Sequence, residues 1–243
     1  MTAREEELAR NLETQRARIA GACAAAGRDP AGITLVAITK TFPIDDVLRL
    51  AALGVHDIGE NRDQEAASKA AAAAAAGVDV RWHFVGQLQR NKCRSVVGYA
   101  DLVHSVDGVR LARTLAGAAE RHRDRPLDVL VQISIDGDPS RGGAIDGAGD
   151  PDRDIHAVVD EIVAHPDALR LRGVMTVAPM RWDPATAFAR LAGISARIRA
   201  DHPDATIVSA GMSADLEPAI AAGATHVRLG SAILGNRVPP GVA

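Results

Sequence analysis

Apolar and polar positions recur along this chain with two different periods. Between residues 3 and 27, Leu8, Leu12, Ile19 and Ala22 stand at helical spacing among charged neighbours, and Gly27 supplies a stop. That pattern predicts an amphipathic N-terminal helix. Eight short apolar or β-branched runs follow, at 33–39, 55–59, 81–86, 101–106, 127–135, 171–177, 206–210 and 226–229. Stretches of helical composition lie between them, at 43–53, 62–76, 88–97, 108–122, 154–164, 184–200 and 213–222, with a short one after 231. The alanine tract 70–76, closed by Gly77, reads as a plain surface helix.

Eight strand–helix alternations without a break in composition predict an α/β fold: a single (β/α)8 TIM barrel with an extra N-terminal helix, residues 1–243 forming one domain. A doubly wound open sheet usually carries a glycine-rich turn after its first strand. Here that strand is followed by Lys40-Thr41-Phe42-Pro43. The runs at 127–135 and 171–177 are almost continuously apolar, as strands covered by helices on the outside are. The longest connection, 136–152, is rich in Gly, Asp and Pro. It is expected to be a mobile surface loop, overhanging the face of a barrel where ligands bind and able to gate it.

Composition narrows the picture. With six aromatic residues in 243, the core must be aliphatic. A net charge of -3 without a polybasic stretch gives no sign of a nucleic-acid or membrane-surface partner. Cys23 and Cys93 lack metal-ligand spacing and read as reduced thiols, and the eight histidines form no HxH or HExxH motif, so no metal site is expected. The charged start of the chain has no apolar signal core, and no run reaches membrane-spanning length. A cytoplasmic protein is expected.

The chemistry turns on lysine. Of 28 basic residues only Lys40, Lys69 and Lys92 are lysines, and Lys40 closes the first apolar run. Arginine cannot lose its proton or form an imine, whereas a partly desolvated lysine can do both. A plain strand-end lysine reaching solvent or pairing with Asp45 or Asp46 is the competing reading. Phosphate often binds after strands seven and eight of such barrels. Those positions read Ser209-Ala210-Gly211-Met212-Ser213 and Val227-Arg228-Leu229-Gly230-Ser231, each with a glycine just past the strand and a hydroxyl before a helical stretch. Backbone N–H groups and a serine hydroxyl can approach a phosphate there. A phosphorylated aldehyde lying across the mouth between this cradle and Lys40 fits both ends. Pyridoxal 5′-phosphate meets that description most economically, and a phosphosugar on a Schiff-base lysine is the alternative.

Several segments together carry a resemblance. They are Ala37-Ile38-Thr39-Lys40-Thr41, Gly59-Glu60-Asn61, the run from Trp82 to Lys92, Gly173-Val174-Met175, Gly211 to Asp215 and Val227 to Gly235. In this order they resemble the pyridoxal phosphate homeostasis proteins, single-domain relatives of the alanine racemase barrel. The resemblance implies that Lys40 holds the cofactor as an internal aldimine. It implies that Ser213, Gly230 and Ser231 hold the phosphate with the Ser209–Gly211 backbone close by, that Arg228 faces the pyridine nitrogen, and that Asn61 lines the ring. Asn61 could equally be a strand-end cap of the next helix. Many relatives carry a lysine where Arg141 stands, so imine chemistry in that loop is not expected. Lys92 reads as a solvated helix lysine and His83 as a packed strand histidine.

Racemisation needs a base on each face of the cofactor. In the racemases the second base resembles a tyrosine from a separate β-domain. This chain ends eight residues after Gly235, and its sole tyrosine, Tyr99, precedes the fourth strand, on the wrong side of the barrel for chemistry. A monomeric, non-catalytic carrier that stores pyridoxal phosphate and hands it to apoenzymes is therefore expected. An amino-acid racemase or decarboxylase, or a Schiff-base aldolase, is the alternative.

Overall fold

The computed structural model describes residues 2–138 and 141–235. Its strands are β1 (Thr34–Ile38), β2 (Asp57–Glu60), β3 (Arg81–Phe84), β4 (Leu102–Val106), β5 (Leu127–Gln132), β6 (Leu169–Met175), β7 (Ile207–Ser209) and β8 (His226–Leu229). They pair in parallel in sequence order and close, β8 back onto β1, into a barrel. The closing register pairs Thr34 with His226 and Ala37 with Leu229. Helices α1 (Ala3–Ala25), α2 (Ile44–Ala52), α3 (Asp63–Ala75), α4 (Cys93–Val96), α5 (Val109–His122), α6 (Ile155–Val163), α7 (Pro184–Asp201), α8 (Leu216–Ala221) and α9 (Ser231–Leu234) accompany them. The predicted TIM barrel with its extra N-terminal helix is the observed fold.

Local chemistry accounts for the helix ends. Thr2 and Glu5 form a reciprocal capping box that starts α1. Asp154 and Asp183 cap α6 and α7, and Pro184 opens α7, where its missing N–H costs nothing. The helix expected over 88–97 is instead a 3-10 turn, Arg90–Lys92, leading into the single turn α4. Strand β6 runs from 169 rather than 171 and ends at Met175. The register between β5 and β6 slips beside Leu130. At Gly173, φ is +144° and an added Cβ would fall inside the backbone of Ile207, so only glycine fits.

The aliphatic core lies mainly between barrel wall and helices, in two clusters that meet around Tyr99. Inside the barrel a small plug of Leu102, Leu130, Met175 and Ile207 fills one side. The other side is polar, with buried His83, His104, Ser209, His226 and Arg228.

The 136–152 connection departs from the expected mobile overhang. Pro139 and Ser140 lie outside the described residues. Beyond the end of β5, Ala144 bridges Ile133 and Ile145 bridges Asp154. Arg141 pairs with Asp136 at 2.7 Å and donates to the Val177 carbonyl, and Arg153 donates to the carbonyls of Arg141 and Gly143. Ala144 is fully buried. These isolated bridges satisfy only part of the segment's backbone, and the two arginines take up further carbonyls and strap it onto the barrel rim. Among the described residues no helix is long and apolar enough to cross a membrane. Cys23 and Cys93 are free and buried, and burial pushes the Cys93 thiol up to about 11.

Candidate functional site

Strand alternation sorts the rim residues into two sets. Thr39 just past β1 and Glu60 at the end of neighbouring β2 turn their side chains outward, where Lys69 of α3 bonds to the Thr39 carbonyl and the Glu60 carboxylate. Lys40 and Asn61 follow them in sequence and fall on the inner side, at the C-terminal mouth. Lys40 is exposed, and its amine has no hydrogen-bond or ion-pair partner among the described residues. The pairing with Asp45 or Asp46 considered from sequence does not form: Asp46 is taken by Arg4 and Arg49.

Beneath Lys40 lies a buried ion cluster. Lys69 Nζ donates to Glu60 Oε1 at 2.6 Å, to Glu65 Oε1 at 2.7 Å and to the Thr39 carbonyl at 2.8 Å. Thr39 Oγ1 donates to Glu60 at 2.6 Å, and the Thr41 N–H donates to Glu65. All three ammonium donors of Lys69 are used. Thr41 is the one non-glycine with a left-handed φ, +70°, among the described residues. A β-branched residue held there is strained, and such strain persists only where the surroundings enforce it. The cluster therefore clamps the backbone on both sides of Lys40. Burial lifts the Glu60 carboxyl above its ordinary value against the pull of Lys69, whereas the Lys69 and Thr41 contacts outweigh burial at Glu65 and lower it.

Barrel closure places the turn after β8 beside Lys40, not across from it. Gly230 follows β8, and an added Cβ would lie 3.5 Å from the Ile38 carbonyl, two residues before Lys40. Ser231 is exposed at the start of α9, where the first N–H groups have no intrahelical acceptor. Helix α1 steadies both phosphate-type turns from outside. Arg18 donates to the Ser213 carbonyl, while Arg4 and Asn11 donate to the carbonyls of Leu234 and Ile233. Two residues of the expected cradle have structural duties. The Gly211 backbone packs so close to Ala219 and Leu216 that a Cβ would meet Ala219 Cβ at 2.7 Å. The Ser209 hydroxyl is wholly buried in the wall, receiving Arg228 Nη1 at 2.7 Å and meeting His104 Nδ1 at 2.9 Å.

Arg228 points into the barrel and is almost wholly buried. Nη1 donates to the Ser209 carbonyl and hydroxyl and Nη2 to the Thr176 carbonyl. Three of its five N–H donors are spent and two remain. Burial lowers it to about 10, so it stays charged at neutral pH. Just past β2, Asn61 Oδ1 is buried without a hydrogen-bond partner among the described residues, beside Gly86, where a Cβ would collide with the Asn61 backbone. An unpaired lysine, an orphaned amide oxygen, two free guanidinium donors and the N–H groups heading α9 thus ring one mouth. This donor and acceptor set fits a phosphorylated aromatic aldehyde.

Sequence reasoning missed Lys69, Glu60 and Glu65, and it missed the polar interior of Asp57 and His104. Lys92 is half exposed, 3.8 Å from Asp63, as a solvated helix lysine should be. Tyr99 packs outside the barrel wall against α3, with its hydroxyl 3.5 Å from Asp63. Burial and that carboxylate hold its proton on. Among the described residues no group of His, Cys, Asp or Glu could hold a metal ion.

Replacing Lys69 with methionine strands Glu60 without its cation, which is expected to cost about 3 kcal/mol near neutral pH. The folded state already binds the Glu60 proton more tightly than the unfolded chain does, so this group's contribution to stability falls as pH rises through its folded value. Loss of Lys69 enlarges that effect. Urea unfolding should show a smaller deficit at pH 5.5 than at pH 8, and an equal deficit at both would contradict the clamp.

Comparison with known proteins agrees with this geometry. The model of the alanine racemase N-terminal domain family matches residues 6–238. The pyridoxal phosphate homeostasis protein of Mycobacterium bovis is 44% identical, covering 96% of this chain and 94% of that one. Its Escherichia coli counterpart is 35% identical, covering 95% and 97%. The structure of Synechococcus elongatus PipY with pyridoxal phosphate bound superposes with a TM-score of 0.76 at 29% identity, covering 94% of this chain and all of that one. A barrel that closes its first and last strands around an unpaired lysine, with this identity along nearly its whole length, places the chain in the pyridoxal phosphate homeostasis protein family, within the alanine racemase N-terminal domain fold.

Proposed function

We propose that residues 1–243 form a single domain that binds pyridoxal 5′-phosphate, holds it covalently on Lys40 through its aldehyde carbon, and serves its storage and transfer. The observation that carries this reading is the exposed, unpaired Lys40 amine on a clamped turn, one strand away from the Gly230–Ser231 turn. Ser231, Gly230 and Ser213 would take the phosphate, Asn61 the ring substituents and Arg228 the ring nitrogen. Gly211 and Ser209 would support these groups through the backbone and through Arg228. The recipients would be apoenzymes that require the cofactor, and the working unit a cytoplasmic monomer.

Bound pyridoxal phosphate supplies an electrophilic carbon and a ring able to accept electrons. The residues here favour the first and restrain the second. A charged guanidinium at the ring nitrogen opposes its protonation and so weakens the electron sink. Tyr99, the one phenol, is held by Asp63 outside the barrel wall. Both features support retention of the cofactor over turnover of an amino acid, and the homeostasis names of the relatives accord with that.

Replacing Ser231 with glutamate puts a carboxylate where the phosphate would sit. Pyridoxal phosphate affinity, followed by visible absorbance, is expected to fall at least tenfold more than pyridoxal affinity. Equal losses would mean that the turn only shapes the barrel. Incubation with alanine or serine in D₂O is expected to give Cα exchange and racemisation at least about 10²-fold below the common enzyme rate of roughly 10 per second. Turnover near that rate would restore the racemase reading.

A further inference from the structure

A line of hydrogen bonds crosses the barrel interior. Asp57 Oδ1 meets His83 Nε2 at 2.8 Å, and His83 Nδ1 meets His104 Nε2 at 2.9 Å. His104 Nδ1 meets Ser209 Oγ at 2.9 Å, and Ser209 Oγ meets Arg228 Nη1 at 2.7 Å. Its members come from β2, β3, β4, β7 and β8, and His83, His104, Ser209 and Arg228 are all buried. A barrel interior is ordinarily filled by apolar side chains. This line displaces that filling, and the cofactor contacts alone give no reason for it.

Proton order along the line follows from donor counting. Arg228 can only donate, so Ser209 Oγ accepts from it. An ionised Asp57 can only accept, so His83 must carry its proton on Nε2. Its bare Nδ1 must then accept from His104, which places the His104 proton on Nε2 as well. His104 Nδ1 is left bare and accepts the Ser209 hydroxyl proton. Every proton points from Arg228 toward Asp57, and every polar atom in the line has a partner. The reverse order sets the lone pair of His83 Nε2 against the Asp57 carboxylate and leaves the serine proton without an acceptor. It needs an extra proton on Asp57, whose carboxyl the His83 hydrogen bond holds below its ordinary value despite burial. Both histidines are driven toward neutrality by burial, His104 the more strongly.

Among the described residues no carboxylate hydrogen-bonds to Arg228, a buried cation that Asp215 favours only through space. Asp57 is the anion at the far end of the line. We propose that Asp57, His83 and His104 are positioning residues, which fix the Ser209 hydroxyl in one rotamer and thereby hold one of the two remaining donors of Arg228 on the ring nitrogen of the bound cofactor. This rests on the pyridoxal phosphate reading above.

The test uses the full chain with 15N-labelled histidine, alone and loaded with pyridoxal 5′-phosphate labelled with 15N in the ring. Without ligand, His83 and His104 should both be neutral and protonated on Nε2. An Nδ1-protonated or doubly protonated His104 would overturn the proton order. Asp57→Asn keeps the shape but can donate as well as accept, so it should mix the two tautomers at His83. It should also move the ring-nitrogen resonance, while affinity falls no more than about tenfold, the worth of one hydrogen bond. Ser209→Ala should move that resonance in the same direction, and His56→Asn, on the exposed N-terminal rim, should leave it in place. Tautomers that change in Asp57→Asn beside an unmoved ring nitrogen would reduce the line to structural filling and overturn its positioning role. Absence of a bound ring-nitrogen signal in the parent protein would instead overturn the cofactor reading and the positioning role with it, while the histidine tautomers still judge the proton order.

Discussion

Pairing of β8 with β1 is the constraint on which the other features depend. It closes the sheet, and closure sets the end of β1 next to the turn after β8. Lys40 and the Gly230–Ser231 turn belong to residues nearly two hundred positions apart in sequence, yet the register makes them neighbours on one rim. Helix α1 guards that seam, tying its own arginines and Asn11 to the carbonyls of Ser213, Ile233 and Leu234. A parallel ladder of this kind forms only after long loops have closed, so contacts that lock the seam from outside have particular value.

Closure also creates an interior that must be filled, and this chain fills it in two ways. Leu102, Leu130, Met175 and Ile207 make a small apolar plug. Opposite them stand the histidines, Ser209 and Arg228, which give up hydrophobic burial for a satisfied hydrogen-bond line. A half-satisfied polar network is worse than an apolar one, so the completeness of this line matters more than the strength of any one bond. On the outer face of the same wall, Lys69 and its two glutamates hold the strained Lys40–Thr41 turn. The Lys40 amine is thus exposed beside a clamped turn, an arrangement that would suit the proposed capture of an aldehyde.

The sequence made the barrel legible because each strand and helix repeated its own period with little interruption. Lys40 stood out through arginine's near-monopoly of positive charge, Gly230 and Ser231 through position after the last strand, and Arg228 through the family resemblance. What could not be read was burial. Glu65 and Lys69 stand at i and i+4, a spacing that also describes an exposed surface pair, and the alanines that follow made α3 look like plain surface helix. Asp57 and His104 were visible as polar residues in apolar strands. Only the barrel's curvature aligns them with His83 and Ser209. The resemblance pointed to the backbone of Ser209–Gly211, and it gave no sign that the Ser209 hydroxyl bonds to His104 and Arg228 or that Gly211 packs on α8. The 136–152 segment looked mobile because its composition is polar and glycine-rich. Arg141 and Arg153 satisfy its backbone instead.

The central claim is that Lys40, of the three lysines, is the one that carries the cofactor. Borohydride reduction of the pyridoxal phosphate-loaded protein fixes the carbon–nitrogen bond irreversibly, and peptide mapping then locates it. Lys69 spends all its donors in the buried cluster, and Lys92 lies 3.8 Å from the Asp63 carboxylate. The account predicts one labelled peptide, ending the visible absorbance, with the pyridoxyl group on Lys40. A label found mainly on Lys69 or Lys92 would contradict it.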